Sequence, residues 1–184
     1  MAKKRYLNFI PNEHQKSVNN IDFLGLYQKG FRVCLIDIDN TLVSYQEHTP
    51  NEKTINLLNE IEQIGFKILL ISNNNKQRVS LFSKDLKYPY LASARKPLKK
   101  GFKKALKLLG VNDKTTVINI GDQIMTDILG GNRMGFYTIF VNPIMRKSDI
   151  LPTRINRKME AFFLKKAKKH HKELYKERFL DEKM

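Results

Sequence analysis

The sequence predicts an α/β fold, a five-stranded, mainly parallel sheet flanked by helices, with no inserted cap domain. Three observations carry that expectation. Short apolar runs alternate with segments of helical period from Phe31 to Val141, the pattern of a parallel sheet covered on both faces. Polar clusters follow four of the apolar runs: Asp37 and Asp39, Ser72-Asn73-Asn74, Arg95-Lys96, and Gly121-Asp122. Open α/β sheets bind ligands at the carboxyl ends of their strands, where these clusters fall. The stretches from Leu42 to Thr54 and from Asn75 to Arg95 are too short to hold an inserted domain.

The elements follow in order. Residues 1–30 read as an irregular basic leader with a short apolar patch from Ile21 to Leu26. Phe31–Ile38 is the first strand. In Pro50–Ile64, Ile55, Leu58, Ile61 and Ile64 recur at helical spacing, and Gly65 is a natural stop. Lys67–Ile71 is a buried strand, Lys76–Lys87 a short helix, and Pro89–Ala94 the third strand. Leu98–Leu109 is amphipathic, with Leu98, Phe102, Ala105, Leu106 and Leu109 on one face and five lysines largely opposite. Pro97 is placed to open that helix as its first residue. Thr115–Ile120, Gln123–Arg133 and Phe136–Val141 complete the alternation as strand, helix and strand. The layout is therefore a leader (1–30), a core (31–150) and a basic amphipathic C-terminal helix (151–184).

Size and charge narrow the classes. At 184 residues the chain is long enough to bury a core without disulfides. Its single cysteine, Cys34, sits inside an apolar run and fits a reducing cytosol. No signal-peptide pattern and no apolar run of bilayer length is present, so any membrane contact is expected from the surface, with a cytoplasmic or peripheral location. The formal charge of +16 points to an anionic partner. It is concentrated: residues 84–107 hold nine Lys/Arg against one acid, and residues 144–184 hold thirteen against six.

The chemistry begins at Asp37-Ile38-Asp39. Carboxylates spaced i, i+2 at a strand end share one side of the chain and repel each other unless a cation or proton intervenes. Asp37 is read as a nucleophile that attacks a phosphomonoester and also binds metal. Asp39 is read as the acid that protonates the leaving alkoxide and then the base that activates water, with its backbone carbonyl as a metal ligand. Thr41, Ser72 and Asn73 are candidate ligands of the phosphoryl oxygens. Turn and cap chemistry is the plainer use for such residues. Lys96, singled out by its place after the third strand, would neutralise phosphate charge. Asp122 and Asp127 complete the candidate Mg²⁺ ligands with Asp37 and Asp39.

The series D-x-D-x-T (37–41), S-N-N (72–74), K-P (96–97) and G-D-x-x-x-x-D (121–127) resembles the haloacid dehalogenase superfamily of aspartate-nucleophile phosphatases, over residues 31–142. The fuller strings Leu35–Leu42, Ala94-Arg95-Lys96-Pro97 and Gly121–Asp127 followed by Gly130-Gly131-Asn132-Arg133 are similar to its YqeG-type, class IIIA subfamily and to phosphatidylglycerophosphate phosphatases. The resemblance implies a Rossmann-like fold, Mg²⁺ as cofactor, and removal of phosphate from phosphatidylglycerophosphate to give phosphatidylglycerol. It implies a phosphorylated lipid headgroup as the substrate, while the Lys-rich faces point to an anionic membrane surface as partner, with nucleic acid as the alternative.

The rival readings are the same chemistry on a soluble phosphomonoester or a nucleic-acid end, and an RNA- or ribosome-associated basic protein. The last lacks the interleaved aromatic platforms on which bases stack. A response-regulator receiver is excluded by order, because Lys96 precedes Asp122. Residues 154–180 have helical character, with Met159, Phe162, Phe163, Ala167, Leu174 and Phe179 roughly on one side. That side can dock on the domain or lie in a membrane interface. His170 and His171 are adjacent, hence on different helix faces, and make a poor metal pair.

Overall fold

The computed structural model of the protein describes residues 6–145 and 151–180, so the core–tail boundary expected at residue 150 lies outside the described residues. Six strands form one sheet: β1 (Glu13–Gln15), β2 (Val33–Ile36), β3 (Lys67–Ile71), β4 (Tyr90–Leu91), β5 (Val117–Gly121) and β6 (Tyr137–Val141). They pair in the order β1-β6-β5-β2-β3-β4, every pair parallel.

The central strands show why apolar runs rather than alternation marked them. All four residues of β2 are buried. Cys34 and Ile36 face one core with Ile68 and Leu70, while Val33 and Leu35 face the other with Leu69 and Ile71. A strand covered on both faces has no polar side to show. On the first face lie α1 (Phe23–Gln28) and α2 (Glu52–Ile64), packing Phe23, Leu26, Leu57, Leu58 and Ile61. Asn51 caps α2 by accepting from the Thr54 N–H, and Gly65 ends it in the left-handed region at φ 113°. Leu58 and Ile61 are completely buried, each worth about 1.5–3 kcal/mol in removal of apolar surface from water. On the second face α4 (Lys99–Leu109) contributes Phe102, Ala105 and Leu106. The short α3 (Lys76–Ser83) is capped by Asn75.

Two expectations for residues 1–97 need correction. The leader is not irregular: it supplies β1, a 3₁₀ turn at Val18–Asn20 and α1. Strand β1 makes the sheet six-stranded rather than five. Glu13-His14-Gln15 has no apolar pattern to announce it, and its pairing with Ile139, Phe140 and Val141 at the sheet edge holds it extended. The second concerns Pro97, which does not start a helix. Leu98 is the N-cap of α4, and the Lys96–Pro97 peptide is cis.

After β5 the chain winds through a π-helical turn (Ile124–Ile128) into α5 (Leu129–Met134), rather than one uniform helix. The C-terminal segment is two helices, α6 (Leu151–His170) and α7 (Lys172–Arg178). Leu164, Ala167, Tyr175 and Phe179 are buried against Phe9, Ile10, Ile124, Ile128 and Phe140, and Phe163 stacks on Phe9. Leader and tail thus share a third core that covers the π-helical turn. Among the described residues no helix is long and apolar enough to cross a membrane.

Helix α4 approaches the segment after β4 closely enough that a Cβ on Gly101 would lie 2.0 Å from the Ala94 carbonyl oxygen. Alanine would raise helix propensity by about 1 kcal/mol, but backbone cannot move aside as a side chain can. Gly101→Ala is therefore expected to destabilise the protein by about 1–3 kcal/mol, read as a lower urea midpoint. An unchanged or higher midpoint would contradict this packing.

Candidate active site

The parallel register brings the polar clusters together. Ile36 is level with Leu70 and with Ile120, so the residues that follow β2, β3 and β5 emerge at one edge. Asp37 continues β2, and its N–H donates to the Ile120 carbonyl at 3.0 Å. Its carboxylate is almost fully buried. Oδ1 lies 2.6 Å from Lys96 Nζ, and Thr41 Oγ1 stands 3.2 Å from Oδ2 and 3.5 Å from Asp122 Oδ1.

Lys96 is the hub. Its Nζ is 2.6 Å from Asp37 Oδ1, 2.6 Å from Asp127 Oδ1 and 3.1 Å from the Ile71 carbonyl, which satisfies all three donors of the ammonium. Burial pulls its pKa down, but Asp127 and Asp37 outweigh that and hold it above the ordinary lysine range. The lysine stays charged. Its backbone is clamped by Asn73, whose amide donates to the Lys96 carbonyl at 2.9 Å and accepts from the Lys96 N–H at 2.6 Å. The Asn73 side chain therefore positions Lys96, a role beyond the phosphate contact expected of its N–H.

Asp127 reaches the hub from the π-helical turn. Its second oxygen accepts from the Gln123 N–H and the Thr126 hydroxyl, each at 3.2 Å. A Cβ on Gly121 would sit 2.3 Å from Asp127 Cγ, so the glycine is the space in which that carboxylate lies. Asp122 is wholly buried. Burial pushes its carboxyl up to about 7, with Arg157 pulling it down and Asp127 pushing it up. Asp37 is likewise raised well above the usual range, first by burial and then by Asp127, Asp122 and Asp39, against the pull of Lys96. Two carboxylates share one ammonium, so attraction to Lys96 does not offset the crowding.

Asp37, Asp122 and Asp127 each offer one oxygen, and these lie within 4.8 Å of one another. Three buried hard oxygen donors, paired with Lys96 and Arg157 among the described residues, fit a divalent cation. The carboxylate of Asp39 points elsewhere. Its Oδ1 accepts from Arg78 Nε and NH2 at 3.2 and 3.0 Å, and its Oδ2 from Ser72 Oγ at 3.2 Å. Any share of Asp39 in holding an ion falls to its backbone carbonyl. Ser72 Oγ also accepts from the Asn74 N–H at 3.0 Å. A cavity of about 250 Å³ opens here, lined by Asp37, Asp39, Ser72, Asn73 and Lys96. Asn40, in the left-handed region at φ 63°, turns the chain beside it.

Three residues escaped the sequence. Arg78 orients Asp39 from the first turn of α3; nothing distinguishes it among 34 Lys/Arg except its place just after the Asn75 cap. Arg157, on α6, donates to Asp122 Oδ2 at 2.5 Å and to the Asp122 carbonyl at 3.1 Å. Glu160, one turn on, is buried and accepts from the Met125 N–H at 3.2 Å. No motif in the basic tail marked either residue.

The chain as a whole is similar to known proteins. Residues 21–135, more than half of the chain, match the family described as haloacid dehalogenase-like hydrolase. The chain is 37% identical over 161 residues to "Probable phosphatase YqeG" of Bacillus subtilis (strain 168), covering 88% of this chain and 92% of that one. It is 26% identical over 168 residues to "Phosphatidylglycerophosphate phosphatase 1, chloroplastic/mitochondrial" of Arabidopsis thaliana, over 85% of this chain but only 47% of the plant protein. The chain thus spans about half the length of that relative. An uncharacterized protein from Listeria monocytogenes serotype 4b shares the fold at a TM-score of 0.51 and 20% identity, over 67% of this chain and 88% of that one.

The raised carboxyls set a sign for stability against pH. An unfolded Asp titrates near 3.9, whereas Asp122 titrates at about 7 when folded and Asp37 is also raised. Between those values the folded chain binds more protons, so its stability falls as pH rises towards and through 7. A divalent cation replaces the protons and opposes that fall. With a chelator, the unfolding temperature is expected to drop from pH 6 to pH 8; with magnesium present, the drop should shrink. Parallel curves with and without the ion would rule out the three-carboxylate site.

Proposed function

This chain belongs to the haloacid dehalogenase-like hydrolase family, and on that premise we propose that it is a Mg²⁺-dependent phosphatase that removes phosphate from phosphatidylglycerophosphate at a membrane surface. The single observation that carries the chemistry is the buried Lys96 ammonium between Asp37 and Asp127, beside the pocket. The lipid assignment draws on the likeness to the Bacillus and Arabidopsis proteins. The size of the cavity, about 250 Å³, agrees with it: a phosphoglycerol headgroup can enter while acyl chains stay outside.

Asp37 attacks phosphorus with a carboxylate oxygen, and the bond from phosphorus to the leaving oxygen breaks, giving an aspartyl-phosphate. Asp39, whose oxygens accept from Arg78 and Ser72 in the free protein, takes up a proton as it turns from Arg78 to the substrate and gives that proton to the leaving oxygen. It then takes a proton from the water that attacks the aspartyl-phosphate, which frees Asp37 and inorganic phosphate. The Asn73 N–H, Lys96, Ser72 and Thr41 hold the phosphoryl oxygens, the last three with donors that turn to the phosphate from Asp37, Asp127, Asp39 and the Ile71 carbonyl, on which they rest in the free protein. Mg²⁺ held by Asp37, Asp122, Asp127 and the Asp39 carbonyl would supply the positive charge that lets a carboxylate approach a phosphate dianion.

Phosphate release from phosphatidylglycerophosphate in mixed micelles is expected to require Mg²⁺ and to fall at least about a thousandfold in Asp37→Asn. Faster release from sugar phosphates, nucleotides or phosphorylated oligonucleotides would move the substrate to the soluble class and leave the chemistry standing. Activity surviving in Asp37→Asn would remove the nucleophile.

Asp39→Asn separates the two carboxylates. The loss is expected to be about 10²–10⁴-fold on an alkyl phosphate and smaller on p-nitrophenyl phosphate, whose leaving group needs no proton. Equal losses on both would deny Asp39 its part as acid.

A further inference from the structure

Helix α6 has two apolar sides, and the structure accounts for only one. Leu164 and Ala167 are buried in the third core. Ile155, Met159 and Phe162, at i, i+4 and i+7 on the helix, are 52%, 43% and 56% exposed. An apolar stripe of that spacing lies along one face. Among the described residues of this helix, the charged side chains exposed beside the stripe are all basic. Lys158, Lys165 and Lys169 are exposed beside the stripe, and Lys166 Nζ lies 5.6 Å from the Phe162 ring centroid. The only acid in α6 is Glu160, and it is buried against the Met125 N–H.

We propose that this outward face of α6 docks on an anionic lipid surface, Ile155, Met159 and Phe162 entering the headgroup boundary and the lysines meeting the lipid charge. The proposal deepens the lipid reading above and rests on it only for why docking is useful. Three side chains are too few for a stable protein interface, which needs about 800 Å² from each partner. A second copy of a chain carrying +16 would meet the lysines with like charge. A lipid interface asks for neither large area nor shape: a few apolar anchors and surrounding cations suffice. The opposite side of the same helix is tied to the catalytic pocket. Thr153 and Asn156 line the cavity, and Arg157 holds Asp122. Docking by α6 therefore holds the pocket about 10 Å, one helix diameter, from the lipid surface.

The test uses the full chain and vesicles of phosphatidylcholine with or without phosphatidylglycerol, neither of which carries a phosphomonoester. Sedimentation should show binding to the anionic vesicles, weakened by salt, and little to phosphatidylcholine alone. The triple variant Ile155→Ser, Met159→Ser, Phe162→Ser should bind at least tenfold more weakly, with an unchanged unfolding temperature and unchanged hydrolysis of p-nitrophenyl phosphate. The chain has no tryptophan, so Phe162→Trp gives a single reporter whose emission should shift to the blue on anionic vesicles. Equal binding by wild type and triple variant, or an unmoved emission, overturns the proposal. Binding of RNA by both chains with no vesicle binding overturns it too, in favour of a nucleic-acid partner. Because vesicle binding is measured without a substrate, it stands or falls separately from the assay on phosphatidylglycerophosphate.

Discussion

The structure is organised around one buried ammonium. Lys96 lies between Asp37 and Asp127 with its third donor on the Ile71 carbonyl, and a third carboxylate, Asp122, is close enough to repel both. Removing a partner from such a cluster leaves buried charge uncompensated, which costs several kcal/mol. The surroundings are shaped to prevent that. Asn73 grips the Lys96 backbone from both sides, Gly101 lets α4 press close beneath Ala94, and Gly121 leaves room for Asp127. The π-helical turn delivers Asp127 at the required depth, and extra turns of that kind are concentrated at functional sites.

Such a cluster is a poor way to stabilise a fold and a good way to hold chemistry. The carboxyls of Asp37 and Asp122 are raised because burial and mutual repulsion exceed what Lys96 and Arg157 can offset. A divalent cation relieves that repulsion, and a site with this unmet demand binds one more strongly than a relaxed site would. The same field keeps Lys96 charged. Asp39 stands apart under Arg78 and Ser72, so the two carboxylates of one i, i+2 motif occupy different electrostatic settings. Separate settings are what two different roles in acid–base and nucleophilic chemistry need.

The C-terminal segment belongs to this arrangement. Its inner residues, Leu164, Ala167, Tyr175 and Phe179, close the third core with Phe9 and Phe140, and Arg157 reaches Asp122 from the same helix. Net charge and hydrophobic periodicity in this segment are legible in one dimension. Which apolar residues turn inward is not, because a helix with apolar positions on two sides fits either docking or exposure. Sequence placed Met159, Phe162, Phe163, Ala167 and Phe179 roughly together; packing divides them, with Met159 and Phe162 left outside.

The order of the chemical residues, the parallel α/β class and the strands β2, β3, β5 and β6 were determined by the sequence itself. Buried parallel strands must be apolar throughout, and polar residues at their ends stand out against that background. Lys96 was recognisable among many lysines because it follows a strand. Tertiary structure decided what depends on contacts between distant residues. Strand β1 exists because an edge of β6 pairs with it, not because Glu13-His14-Gln15 favours extension. Arg78 and Arg157 matter through Asp39 and Asp122, and an ion pair across 39 or 35 positions leaves no local pattern. Propensity and periodicity act between neighbours in the chain, whereas pairing of charges is settled only when folding brings them within reach.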